Sequence, residues 1–141
     1  MKIFLDTSSL FKLYHRESDT SVLEQKLGSI KITNIFLSEI AKIEFTSTIW
    51  KKVRTKEITE TEAKNTLELF EFDFPKYNFL SIDNLIIENA KLLVNRYGTR
   101  GLRTLDSIQL STAIYLSKQV EIFFTADKLL ESLFIEEGLM V

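Results

Sequence analysis

The first ten residues constrain this chain more than any other stretch. Ile3, Phe4 and Leu5 form a continuous apolar run, too short for a helix and suited to a strand buried on both faces. Asp6 ends the run. Thr7, Ser8 and Ser9 then supply N-cap chemistry, and Leu10, Phe11, Leu13 and Tyr14 take up helical spacing. A carboxylate is therefore expected where a central strand hands over to a helix. In open α/β sheets that carboxyl edge is where ligands bind. An Asp there can equally do no more than cap the helix.

The remainder alternates in the same way. A short helix is predicted from Val22 to Gly28, and a second strand over Asn34–Leu37. Ser38 is expected to cap a long amphipathic helix through Lys56, with Ile40, Ile43, Phe45, Ile49, Trp50 and Val53 on its apolar face. Thr59 with Glu62 makes a capping-box pattern that starts a helix through Phe70, closed off by Pro75. A third strand is predicted over Tyr77–Ile82, and Asp83 caps a helix ending at Tyr97-Gly98. Thr104 is read as the cap of a helix from Leu105 to about Lys118. A fourth strand spans Glu121–Thr125, Asp127 opens a short last helix, and Leu139-Met140-Val141 is read as an edge strand. Strands alternating with helices imply an α/β fold: a mostly parallel sheet with helices on both faces. The two helices between residues 38 and 75, with no strand between them, are expected to pack as a hairpin on one side of that sheet.

With 141 residues the chain is read as one domain, residues 1–141, large enough for a real core. Cysteine is absent and His15 is the sole histidine, which excludes disulfides, thiolate zinc sites, a cysteine nucleophile and multi-histidine metal cages. No basic-then-apolar leader precedes the first strand and no apolar run reaches membrane-spanning length, so a cytoplasmic location without membrane association is expected. The net charge of −2 argues against wholesale coating of nucleic acid but leaves room for local basic patches. Two exist: Lys51, Lys52, Arg54 and Lys56, and then Arg96, Arg100 and Arg103. His15 is read as an ordinary polar-face residue, and Phe45 and Trp50 as core or interface aromatics.

Acidic residues occupy unusual positions. Asp6 and Asp127 each follow an apolar strand, so parallel central strands would put both at one edge of the sheet. Asp106 lies in the first turn of its helix beside Leu105 and Ile108, and Glu44 lies between Ile43 and Phe45. Each has a structural explanation of its own: helix caps for the three Asp, and for Glu44 an ion pair with a lysine such as Lys42. Together they are harder to explain, because no basic residue closely accompanies the three Asp, and carboxylates sharing a site repel unless a cation sits among them. Oxygen-only ligands suit a hard cation, Mg²⁺ or Mn²⁺. Metal-assisted phosphodiester hydrolysis is the chemistry these parts fit. A phosphatase or phosphoacceptor domain also places an Asp after its first strand. Ser8, however, stands where a haloacid-dehalogenase-like phosphatase has a second Asp, and the acid pair of a receiver domain is missing, although Lys128 is in place for one.

Asp6 in IFLDTSSL, Glu44 in LSEIAKIEF, Asp106 in LRTLDSIQLSTA and Asp127 in FFTAD resemble, in order and spacing, the four acidic motifs of PIN domains, with the closest likeness to VapC-type toxins of prokaryotic toxin–antitoxin pairs. The resemblance implies a three-layer α/β/α fold and a Mg²⁺- or Mn²⁺-dependent endoribonuclease that cuts structured RNA at a single-stranded site. It also implies inhibition by a small antitoxin and a homodimeric state, for which the first two helices offer an apolar surface. Carried over, Asp6 and Asp106 are the principal metal ligands, Asp127 a further or water-mediated ligand, and Glu44 a ligand or activator of the attacking water; Glu39 is the other acid open to that role. Thr7 or Ser8, and Thr125, match small polar positions that orient a carboxylate or touch phosphate. Arg100 and Arg103, just ahead of Asp106, are the residues expected to hold RNA phosphate. A PIN fold with an idle metal site, serving only to bind RNA, is the non-enzymatic alternative.

Overall fold

The computed structural model describes residues 1–141 throughout. Four parallel strands, β1 (Lys2–Leu5), β2 (Asn34–Ser38), β3 (Tyr77–Leu80) and β4 (Ile122–Phe124), lie in the order β3-β2-β1-β4. The apolar run at the start of the chain is the inner strand: Phe4 pairs with Phe36 of β2 on one side and Phe123 of β4 on the other. Ile3, Phe4 and Leu5 are all fully buried. A strand flanked by two others and covered on both faces needs an unbroken apolar sequence, and each such side chain contributes roughly 1.5–3 kcal/mol of burial.

Side chains alternate across β1 and so divide the helices into two layers. Ile3 and Leu5 face a core formed with α1 (Thr7–Phe11), α2 (Thr20–Gly28), α3 (Ala41–Arg54) and α4 (Glu60–Phe72). Phe4 faces the other way, into a core shared with α5 (Asn84–Tyr97), α6 (Thr104–Tyr115) and α7 (Lys128–Glu136). The fold is thus a three-layer α/β/α sandwich. Helices α3 and α4 do form a hairpin, laid against the sheet, with the Phe45 and Phe70 rings 4.1 Å apart between them. The predicted capping box starts α4: Thr59 Oγ1 accepts from Glu62 N, and Thr59 N donates to Glu62 Oε1. From Ser107 to Ala113, α6 is buried without interruption, because α5 covers one flank and the sheet and α7 the others.

Several local expectations change. Ser38 is the last residue of β2 rather than the cap of α3, whose N-cap is Ile40 and has no side-chain capping bond. Of the caps open for α1, Asp6 takes the role and Thr7 to Ser9 do not: it accepts from Ser9 N at 2.9 Å and is the one residue between strand and helix. Thr104 is the first helical residue of α6 and its cap is Arg103, which makes no side-chain capping bond. Leu139–Val141 forms no fifth strand. After a turn at Gly138 (φ 80°) these residues make one backbone bond to β4, from Phe123 N to Met140 O, and no ladder.

Candidate active site

The chain leaves β1 toward β2 and β3 on one side and returns at β4 on the other. The crevice between the carboxyl ends of β1 and β4 is therefore the topological switch point of the sheet. Asp6 leaves β1 at that edge and is 4% exposed. Its Oδ2 accepts a 2.6 Å hydrogen bond from Thr125 Oγ1, just past β4, and its Oδ1 accepts from Ser9 N and from Ser8 Oγ at 2.8 Å. Ser8 Oγ in turn accepts from Ala126 N at 3.0 Å, tying the two strand ends together. Burial nevertheless pushes the Asp6 carboxyl up from 3.8 to about 6, against the bonds from Thr125, Ser9 and Ser8 and helped by the nearby charge of Glu44.

Glu44, in the first turns of α3, lies on the flank of the helix beside the core residue Phe45. Its Oε1 accepts from Thr7 Oγ1 and from Gln109 Nε2, both at 2.8 Å. Burial raises its pKa, opposed by Gln109 and Thr7 and reinforced by the charge of Asp106. The expected pairing with Lys42 does not form; Lys42 bonds Glu39 at 2.7 Å, and Glu39 is outside the cleft. Glu44 is thus the α3 acid at this site.

Asp106, half-buried in the first turn of α6, is raised by burial and by the charge of Asp127, with Arg103 pulling the other way. Asp127 is exposed and caps α7, accepting from Leu130 N at 2.7 Å. Both Asp6 and Asp127 are helix caps and cleft residues at once, so the two explanations of their positions are compatible. All four acids line one cleft of about 440 Å³. None of the four forms a salt bridge.

As they stand, no three of these carboxylates converge closely enough to hold a metal ion between them. Each of Asp6, Glu44 and Asp127 is held by hydrogen bonds from its own neighbourhood, and the shared negative charge favours separation. The donor set still fits a hard divalent cation: it is all oxygen, part buried, without an ion-pair partner, and of a kind that Mg²⁺ takes one or two at a time while keeping several waters.

The cationic residues of the cleft are not the expected ones. Arg100 is engaged with Glu136 on α7, and neither it nor Arg103 lines the cleft, although the charge of Arg103 reaches Asp106. The lining lysines are Lys12, Lys51 and Lys52. Lys12 is buried and bound to Glu17 and Asp19 at 3.0 and 2.5 Å, and Lys52 pairs with Glu57 at 2.9 Å. Lys51 is exposed and has no acidic partner. His15 packs on the Phe11 ring, 5.4 Å between centroids, away from the four acids. Sequence reasoning missed Gln109, a cleft residue 2% exposed that bonds both Glu44 and Thr7. Its signal was an amide three residues after Asp106, inside an otherwise apolar and small-residue stretch.

An all-parallel α/β/α sandwich with carboxylates from β1, α3, α6 and β4 lining a cleft at its switch point defines a compact class of acidic-site proteins. The chain belongs to the PIN domain family, whose model matches residues 3–133. It is similar in structure to Mycobacterium tuberculosis VapC20, a sarcin–ricin-loop-cleaving toxin (TM-score 0.70, 14% identity, 93% of this chain and 94% of that one). It is similar also to FitAcB from Neisseria gonorrhoeae (TM-score 0.69, 18% identity, 99% and 95%). A third likeness is to VapBC2 from Rickettsia felis bound to a promoter DNA fragment (TM-score 0.64, 16% identity, 100% and 98%). At these identities the likeness is one of fold. No curated protein sequence matches the chain.

Proposed function

We propose that this protein is a Mg²⁺- or Mn²⁺-dependent endoribonuclease, the toxin of a toxin–antitoxin pair, acting in the cytoplasm on structured RNA. The observation that carries the reading is that Asp6, Glu44, Asp106 and Asp127, from four separate elements, line one cleft and that none of them is ion-paired. Membership of the PIN family and the fold likeness to VapC toxins support the same assignment. A small antitoxin as partner is supported by neighbours that include a toxin–antitoxin complex from Klebsiella pneumoniae. A second copy of the chain is the other expected partner, with Leu13 and Val22 beside α1 and on α2 as exposed apolar side chains. No helix is long and apolar enough to cross a membrane.

Asp6 and Asp106 would hold the cation, with Glu44 and Asp127 as further ligands, direct or through water. When bound, the cation supplies a polarised phosphoryl oxygen and a bound water of lowered pKa. The chain supplies the rest. Thr125 and Ser8 hold the Asp6 carboxylate in one orientation and favour its charged form. Thr7 and Gln109 occupy Glu44 Oε1 and leave Oε2 to face a water and take its proton. Lys51 gives an adjoining RNA phosphate a positive contact.

Purified protein incubated with mixed RNA, with and without Mg²⁺ or Mn²⁺, tests this. Cleavage that needs the metal and disappears in Asp6→Asn is the expected result. RNA binding with no cleavage under any metal would replace the enzyme with an idle RNA-binding PIN module.

A further inference from the structure

Gln109 is buried, yet one of its two polar atoms has no partner. Nε2 donates to Glu44 Oε1 at 2.8 Å and to Thr7 Oγ1 at 3.0 Å, while Oε1 is enclosed and accepts from nothing. The orientation of the amide is fixed by its neighbours. Turned over, the amide would set its carbonyl oxygen against the Glu44 carboxylate, two acceptors face to face. Thr7 Oγ1 spends its one hydrogen on Glu44 Oε1, and so must accept from Gln109. The three side chains close a ring in which every donor serves Glu44, directly or through Thr7. An enclosed acceptor without a donor opposes folding, so an amide retained there acts through its other end.

The position in the chain gives that arrangement a purpose. Gln109 lies one turn after Asp106 on α6, so the helix that presents one acid of the cleft also aims an amide at another. α6 is buried from residue 107 to residue 113, which makes it a rigid mount. Glu44 comes from α3 in the opposite helical layer. Gln109 and Thr7 bridge the sheet edge between them.

We infer that Gln109 is a positioning residue: it sets the orientation of the Glu44 carboxylate, and through it the reaction and the cation affinity of the cleft. This rests on the nuclease reading given above for its kinetic consequence. Its effect on metal binding can be measured whether or not RNA is cut.

The test is a double-mutant cycle. Gln109→Leu keeps the volume and removes both donors; Gln109→Met serves if the leucine variant does not fold, as judged by circular dichroism and a cooperative melt. In each, kcat for RNA cleavage should fall about 10–100-fold with KM unchanged, the range seen when an outer hydrogen-bond partner of a ligand is removed. Mn²⁺ affinity, read from the electron paramagnetic resonance signal of free Mn²⁺, should fall about tenfold. In a Glu44→Ala background the same substitution should change neither quantity. Equal losses with and without Glu44, or wild-type kcat and Mn²⁺ affinity in Gln109→Leu, would overturn the inference. A wild type that binds Mn²⁺ but cuts no RNA ends the nuclease reading alone, and the Mn²⁺ arm then decides the role of Gln109. A wild type that binds no Mn²⁺ ends both.

Discussion

Thr125 Oγ1 donates to Asp6 Oδ2 at 2.6 Å, joining residues 119 positions apart across the carboxyl ends of two adjacent parallel strands. This bond is the strongest side-chain interaction opposing the effect of burial on Asp6. It makes the state of the first acid in the chain depend on a hydroxyl near its end.

Replacing Thr125 with Val should therefore raise the Asp6 pKa further. The acid limb of the cleavage-rate profile should move to higher pH, and metal-dependent activity at pH 6 should fall about tenfold. Rates measured from pH 5 to 8 check this; an unchanged acid limb would show that Thr125 is only a spacer.

Stability carries the same signature. The Asp6 pKa is raised on folding, from 3.8 to about 6, so the folded state binds the proton more tightly than the unfolded state between those values. The group's favourable contribution is complete below pH 3.8 and is lost as pH rises through about 6. The loss is roughly 3 kcal/mol at most. In Asp6→Asn nothing titrates there, so its stability relative to wild type should climb between those pH values and level off above. Urea melts of both proteins across that range decide it, a pH-independent difference being the contrary outcome.

Lys51→Ala should weaken RNA binding and raise KM several-fold with kcat near wild type, because a phosphate contact remote from the reacting group binds substrate and transition state alike. Arg100→Ala should change neither, since that side chain is engaged with Glu136 outside the cleft. Steady-state kinetics at two salt concentrations separates the two variants.

Phe45→Ala should cost about 3–5 kcal/mol of stability, the usual range for emptying a fully buried aromatic site. Phe45 contacts the rings of Phe11, Tyr14 and Phe70, so the loss reaches α1 and α4 as well as α3. Chemical denaturation gives the value directly.

Much of this architecture was legible because its signals are local. The run Ile3-Phe4-Leu5, the capping box at Thr59 and the strand-then-Asp pattern at Asp6 and Asp127 each follow from a few adjacent residues. The acids stood out because an isolated carboxylate beside apolar residues demands an explanation. What escaped depends on long-range geometry. Gln109 looked like one polar residue among core residues, and its meaning lies in Glu44, 65 positions away. Arg100 and Arg103 attracted notice by adjacency to Asp106, yet the loop before α6 sends Arg100 to α7. Lys51, seven residues beyond Glu44 on the same helix, reaches the cleft along the face of α3. Leu139–Val141 are β-prone in composition but make a single backbone bond to β4.

The strand order also sets when the cleft can be completed. A ribosome delivers β1 first, yet β1 waits for its second neighbour until residues 122–124 have been made, and Asp6 waits for Thr125. A nascent chain that stops short of that point has an exposed strand edge and an unfinished cleft. Synthesis itself thereby orders the assembly, which is completed only once β4 and Thr125 have emerged.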